Sequence, residues 1–414
     1  MASPVRSTTP RLEPTESPRQ PAALTDDLLE EIFLRLESYA DLARASTACA
    51  SFRRLAADPD FLRRFRSRHP PLLLGFLCFK VQVGCFQPVL ALHPNAPAAH
   101  ALGSAADFSF GFLEDSTDPV WAPCNVCDGR VLLVNGILYC DFSRCVLWDL
   151  AVCDPLSRQY LHVPRIPEDL LASVQIKERD IHDADAELVP SGDWEDTSFR
   201  VLRTVNSSAR LAVCVFSSTS GCWSVAASTR WDALGFSVQR PKLATPQFVY
   251  GSCYWKVKTL DKLLKLDMNT LVFSTIDLPP GLERRSTNIA IVEAGEGNLG
   301  MCSQICDVNG TSVDYYIFMQ NLSGRTNGWH MKNTTRLSDT TRLSGHGVYY
   351  MFGSAEGYVF ILYSPQFSNE PQYDEFVCFS LEINTSNIER VSSHEYSFAT
   401  PYFGFPPSMS PRRM

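Results

Sequence analysis

Four cysteines stand where a zinc ligand set could begin: Cys124-x-x-Cys127, followed by Cys140 and Cys145. A structural zinc site needs four thiolates or imidazoles that converge, and such spacing can supply them from loops. Here Cys140 and Cys145 fall in or beside runs with strand character, and no histidine is near to complete the set. No metal is expected. Gly295-x-Gly297-x-x-Gly300 has the spacing of a dinucleotide fingerprint. That chemistry requires a helix opening directly behind the glycines, whose N-terminus receives the pyrophosphate. This segment lies between two strand-like runs, so a tight turn is the expected role. No G-x-S-x-G, P-loop or H-E-x-x-H occurs, and the eight histidines are scattered without a close pair. Thiols such as Cys214 sit inside apolar runs and read as core. Glu178 to Asp196 holds eight acids among few apolar residues. It reads as a solvated insertion; the alternative is a substrate-facing loop that selects basic targets. The residues predict no catalytic machinery and no cofactor.

Composition agrees with a globular protein. Hydrophobic residues make up 45% of the 414 positions and charged residues 20%. The net charge of −8 gives no reason to expect a nucleic-acid partner. Leu72 to Phe79 is among the longest apolar runs, and it is far shorter than a membrane span. No apolar h-region opens the chain, so no secretory signal is expected, and the fourteen cysteines are read as reduced thiols. A cytoplasmic or nuclear location follows as the expectation. Five sequons, at Asn206, Asn309, Asn321, Asn333 and Asn384, are read as turn composition.

The elements that must position any site begin after a Pro-, Ser- and Thr-rich tail, Met1 to Gln20, which is expected to be disordered. In Leu24 to Leu36, Thr25 is a good N-cap, Asp26 and Asp27 suit the positive end of a helix dipole, and Leu28, Leu29, Ile32, Phe33 and Leu36 form one apolar stripe. Leu42, Ala45, Ala48, Cys49, Phe52 and Leu55 supply a second apolar face. Asp58-Pro59 starts a further helix carrying Phe61, Leu62 and Phe65. About 45 residues are too few for a large closed core, so these helices must lean on another surface. Arginines 53, 54, 63, 64, 66 and 68 read as a solvated face, or as steering toward an acidic partner.

Leu24 to Phe65 resembles an F-box along the whole motif: LTDDLLEEIFLRL, then Asp41-Leu42, Ala48-Cys49 and Ser51 to Leu55. Thr25 stands where the family usually has proline, and Phe52 where it often has tryptophan. The resemblance implies a three-helix unit that docks on a Skp-type adaptor and through it on a cullin scaffold. The adaptor-facing residues it implies are Leu24, Leu28, Ile32, Phe33, Leu36, Leu42, Ala45 and Phe52.

After Pro70-Pro71 the texture changes to strands, and a loose repeat appears. Its units are GRVLLVNG (129–136) with 146–154 and 159–163; 198–205 with 211–216 and 222–226; 248–257 with 263–266 and 272–276; 298–306 with 315–320 and 329–332; and 358–363 with 376–383 and 388–391. Each is an apolar strand followed by a hairpin closed by Asp, Asn, Ser or Gly. A sixth unit is expected from Leu72 to Phe79, Phe86 to Leu92 and Phe108 to Phe112. The spacing is near that of kelch-type blades, although no Gly-Gly pair marks kelch positions. The fold class is therefore an α+β multidomain chain: a helical domain at 21–69, then a mainly antiparallel β-propeller at 70–406 of about six blades, seven also being allowed, with tails at 1–20 and 407–414.

The words DGRVLL (128–133), VCDPLSR (152–158), VPRIPEDL (163–170), YGSCYW (250–255), KLLKLD (262–267) and VEAGEGNLGM (292–301) resemble the F-box-associated propellers of plant, and especially grass, F-box proteins. Together the two resemblances imply a non-catalytic substrate receptor of a Skp–cullin–F-box ubiquitin ligase, holding a target protein on its propeller. The other classes left open are a non-degradative F-box scaffold and a propeller enzyme.

Overall fold

The computed structural model describes residues 25–404 except 37–38, 57, 59–60, 62–63, 66–67, 70, 81–82, 114–120, 136–146, 190–197, 237–239, 259, 281, 283–285, 309, 320–327, 342–346, 366–375 and 395–398. Both expected tails, Leu24, Cys140 and Cys145 lie outside the described residues. The chain divides into two compact units, Met1–Pro70 and Pro71–Met414.

The first unit holds helices α1 (Asp26–Phe33), α2 (Tyr39–Ser46) and α3 (Ala50–Ala56). The Thr25 side chain caps α1, its Oγ1 accepting from the Leu28 N–H at 3.4 Å. Asp58 does the same for the next helical stretch, accepting from the Phe61 N–H at 2.9 Å. The core is Phe33, Leu34, Leu42, Phe61 and Phe65. Phe33 meets Phe52 edge-on at 5.0 Å and Phe61 at 6.3 Å, arrangements that aromatic quadrupoles favour. Two of the arginines are held inside the unit, Arg54 by Asp26 at 3.0 Å and Arg64 by Glu30.

The second unit is a six-bladed β-propeller among the described residues. Blade 1 is β3 (Trp121–Cys127), β4 (Arg130–Asn135), β5 (Leu150–Asp154) and β6 (Gln159–Val163). Blade 2 is β7 (Ile181–Val189), β8 (Arg200–Ser207), β9 (Arg210–Ser217) and β10 (Cys222–Arg230). Blade 3 is β11 (Gln247–Val249), β12 (Ser252–Val257), β13 (Lys262–Asp267) and β14 (Phe273–Asp277). Blade 4 is β15 (Ser286–Glu293), β16 (Leu299–Asp307), β17 (Gly310–Met319) and β18 (Gly328–Arg336). Blade 5 is β19 (Gly347–Ala355), β20 (Tyr358–Pro365), β21 (Phe376–Glu382) and β22 (Ile388–His394). Each is an antiparallel meander in chain order.

The sixth blade is assembled from both ends of the propeller segment. β1 (Leu73–Lys80) pairs with β2 (Val83–Pro88) on one side and with β23 (Ala399–Phe403) on the other. The expected third strand at Phe108 to Phe112 is a turn instead, and the third strand of the blade is β23, on the other side of β1 from β2. Pairing the first strand with the last closes the ring and covers edges that an open array would expose. The Gly404 N–H donates to the Leu72 carbonyl at 2.9 Å, and the Tyr402 hydroxyl donates to the Gly129 carbonyl of blade 1 at 2.7 Å.

The hydrophobic core is divided among the seams. One cluster joins blades 1 and 2, another 2 and 3, another 3 and 4, another 4 and 5, and the largest gathers blade 6 with blades 5 and 1. The first strands touch around the ring, β23 to β3 to β7 and β11 to β15 to β19, so they line the centre. In blades 1 to 5 the sequence units contained strands two to four but missed these inner strands or merged them with their neighbours. In particular, the acidic stretch expected as a solvated insertion contains β7. Asn206, expected in a turn, lies within β8 and is buried.

Candidate functional site

In the first unit, α1 presents two faces. Leu29 and Phe33 point into the core, whereas Leu28 and Ile32, four residues apart on the other side, are 54% and 45% exposed. An exposed pair of large aliphatic side chains one helical turn apart is what a partner surface can bury. The remaining residues implied for the adaptor sort by burial. Phe33 and Leu42 are core; Leu36, Ala45 and Phe52 are partly buried against that core. These five shape the unit behind the ridge.

Among the described residues, no group of three His, Cys, Asp or Glu side chains could hold a metal ion. Cys124 gives its thiol hydrogen to the Leu132 carbonyl at 3.4 Å. Burial pushes the Cys214 thiol up to about 11 and the Cys302 thiol up to about 12, so neither is a thiolate at neutral pH. Gly295 and Gly297 have φ of 80° and 74° in the turn between β15 and β16, with no helix behind them. No helix among the described residues is long and apolar enough to cross a membrane.

The most unusual polar grouping lies on β7, beside the propeller centre. Asp183, Asp185 and Glu187 alternate with Ala184, Ala186 and Leu188, so the three carboxylates share one face. Asn125 of β3 donates its amide to Glu187, while its Oδ1 accepts from the Leu188 N–H at 3.1 Å. Burial, with Asp185 adjacent, holds the Glu187 carboxyl well above the usual range, against the pull of the Asn125 donor. Burial and the neighbouring Asp183 raise Asp185 to about 6, while Lys258 and Arg203 oppose the shift. Burial raises Asp183 too, opposed by His182, Lys258 and Lys242. Among the described residues, none of the three carboxylates forms an ion pair.

The neighbouring strand adds polar atoms on the same face. Register pairs Asp183 with Asn206 and Asp185 with Thr204. Asn206 and Thr204 are 1% and 2% exposed. The Asn206 amide donates to the Pro241 carbonyl at 2.7 Å, but its Oδ1 and the Thr204 Oγ1 have no hydrogen-bond partner. His182, the extra residue of a bulge between Ile181 and Asp183, likewise has both ring nitrogens buried without partners. Leu202, two residues from Thr204 on that face, packs in the same cluster as Trp255 of blade 3, so the face looks into the seam between blades 2 and 3.

Two family models match. Residues 26–68 match the model described as F-box-like, and residues 125–345, more than half of the chain, match the model described as F-box protein AT5G49610-like, beta-propeller. No curated protein is matched. Among solved structures, the chain is similar to the Bombyx mori GH32 β-fructofuranosidase BmSUC1 at 10% identity and a TM-score of 0.34, covering 66% of this chain and 64% of that one. It is also similar to a nidogen/laminin complex (9% identity, TM-score 0.38, 80% and 99% covered) and to Kluyveromyces lactis Hsv2 (9% identity, TM-score 0.34, 64% and 72% covered). The chain thus spans under two thirds of the fructofuranosidase, and the structural likenesses are too loose to carry a functional argument. With an F-box-like match ahead of it and six antiparallel blades around it, the longer match settles the family: the chain belongs to the F-box proteins with an AT5G49610-like β-propeller.

Proposed function

We propose that this chain is the substrate-receptor subunit of a Skp–cullin–F-box ubiquitin ligase and is not itself an enzyme. The observation that carries the reading is the Leu28–Ile32 ridge, an exposed apolar pair within the F-box-like match. In this reading residues 21–69 bind a Skp-type adaptor and through it a cullin, while residues 70–406 hold a target protein in the cytoplasm or nucleus. Leu24, Leu28 and Ile32 make direct adaptor contacts, and Phe33, Leu36, Leu42, Ala45 and Phe52 position them.

The mechanism is positional. Holding the target's lysine near a ubiquitin thioester carried by another enzyme raises its effective concentration and fixes its approach. No acid, base or nucleophile from this chain is needed.

Affinity capture under proteasome inhibition tests the proposal by comparing the intact chain with Ile32→Asp. The intact chain should capture adaptor, cullin and target. The variant should lose adaptor and cullin and keep the target. Equal adaptor capture by both would overturn the assignment.

A further inference from the structure

The second unit concentrates unpaired buried oxygens at one seam. Thr204 Oγ1 and Asn206 Oδ1 are nearly inaccessible, lack hydrogen-bond partners, and face the same side as Asp183 and Asp185. A folded protein seldom leaves such atoms unmet, and where it does, strain, a functional role, a water or an ion accounts for them. The carboxylates above them lack a counter-charge in contact. Lys242, Lys258 and Arg203 lie near enough to influence the aspartates, yet none forms an ion pair with them, and Arg203 donates to the Trp148 carbonyl at 2.9 Å. Asp183 and Asp185 are only partly buried and stand on the inner strand β7. What the site offers is a row of negatively charged acceptors with no cation among the described residues in contact with them.

We propose that the channel side of the seam between blades 2 and 3 binds an arginine side chain on an extended segment of the target protein, with Asp183 and Asp185 as counter-charges and Thr204 and Asn206 as acceptors. A guanidinium presents five N–H donors in a fixed plane and suits acceptors spread over two strands better than the compact ammonium of lysine does. Glu187, already bonded to Asn125, closes the inner end of the row. Trp255, whose buried Nε1 donor also lacks a partner, packs in the same seam. Identifying the ligand as a target segment rests on the substrate-receptor reading; the binding chemistry does not.

The test uses the full chain and three short extended peptides of one sequence, with a central arginine, lysine or citrulline. Citrulline keeps the shape and removes the charge. Titration calorimetry and thermal shift are the readouts. The arginine peptide should bind and raise the melting temperature, the lysine peptide should bind at least threefold more weakly, and the citrulline peptide should not bind. Asp185→Asn should weaken arginine-peptide binding at least tenfold, and Thr204→Val severalfold. Both variants should melt no lower than the wild type, because Asp185→Asn removes a charge without a counter-ion and Thr204→Val removes a buried hydroxyl without a partner, so lost binding would not reflect misfolding. Ile32→Asp should bind the peptide as the wild type does, which separates this proposal from the adaptor assignment. No binding at millimolar arginine peptide, equal binding of citrulline, or binding indifferent to Asp185→Asn would each overturn the proposal.

Discussion

At the scale of single residues, adjacent positions on α1 have opposite jobs, and substitution should separate them. Ile32 is exposed and Phe33 is core. Ile32→Asp places a charge on a solvated face, so the helix should form as before, but burying that charge against a partner should cost at least ~2 kcal/mol of adaptor binding. Phe33→Ala should lower the stability of the first unit by about 3 kcal/mol, since it removes the ring that meets Phe52 and Phe61. Circular dichroism with an adaptor pull-down checks both; a folded Phe33→Ala of wild-type stability would contradict the packing described. In the second unit, Asp185 gives a pH test. A carboxyl whose folded-state pKa is raised binds its proton more tightly folded than unfolded. The stability it contributes is therefore present below the ordinary aspartate range and is lost as pH rises through about 6. Asp185→Asn should match the wild type near pH 4 and exceed its stability at pH 7, by on the order of 2 kcal/mol. Denaturant midpoints across that range check the sign. A variant less stable at pH 7 than at pH 4, relative to wild type, would mean that the carboxylate is compensated.

At the scale of elements, the outer hairpins of four blades share one five-residue turn. Asp154 to Arg158, Ser217 to Gly221, Asp267 to Leu271 and Glu382 to Ser386 each end on a residue with φ between 58° and 68°. In the third, the Asp267 carboxylate accepts from the N–H groups of Asn269 and Thr270, both at 2.9 Å, which holds it below the usual carboxylate range. A left-handed backbone costs an L-residue other than glycine about 1 kcal/mol, so Leu271→Gly should be neutral or stabilising by up to about 1 kcal/mol. Gly221→Val at the matching position should destabilise by about 1–2 kcal/mol; thermal melts check both, and a Leu271→Gly variant that melted below the wild type would show that the turns are not equivalent. Such turns were legible in the sequence because Asp, Asn, Ser and Gly cluster there, and middle strands such as β4, β5, β9 and β21 were legible because both faces are buried between blades. The inner strands were not. β7 is polar on one face, so a search for apolar runs reads Asp183, Asp185 and Glu187 as loop. The usable signal was their strict alternation with Ala184, Ala186 and Leu188, a period of two that no loop requires. The β23–β1 pairing was equally hidden, because nothing local in Ala399 to Phe403 names a partner more than three hundred residues away. The F-box stripe could be read in full, but only its burial distinguishes Leu28 and Ile32 from Phe33.

At the scale of the whole molecule, the division at Pro70 and Pro71 bears on how the proposed function would fail. The propeller's ring is closed by its own first and last strands, and no strand of the first unit takes part in any of its sheets. A chain beginning at Leu72 retains every strand of all six sheets and Leu72 itself, whose carbonyl receives the Gly404 N–H, and should therefore fold by itself. If target recognition belongs to the propeller, that shorter chain should still capture the target and should fail to capture adaptor or cullin. Overexpressed beside the intact chain, it would occupy the target without delivering it, and the target's half-life should lengthen. The intact chain carrying Ile32→Asp should have the same effect, which guards against a consequence of truncation alone. Before either comparison, the shorter chain must be shown to be monomeric and to melt in one transition, because aggregation would mimic lost binding. A folded, monomeric chain from Leu72 that captured none of the partners held by the intact chain would show that recognition needs residues of the first unit. A target surface spanning both units would then replace the division of labour proposed here.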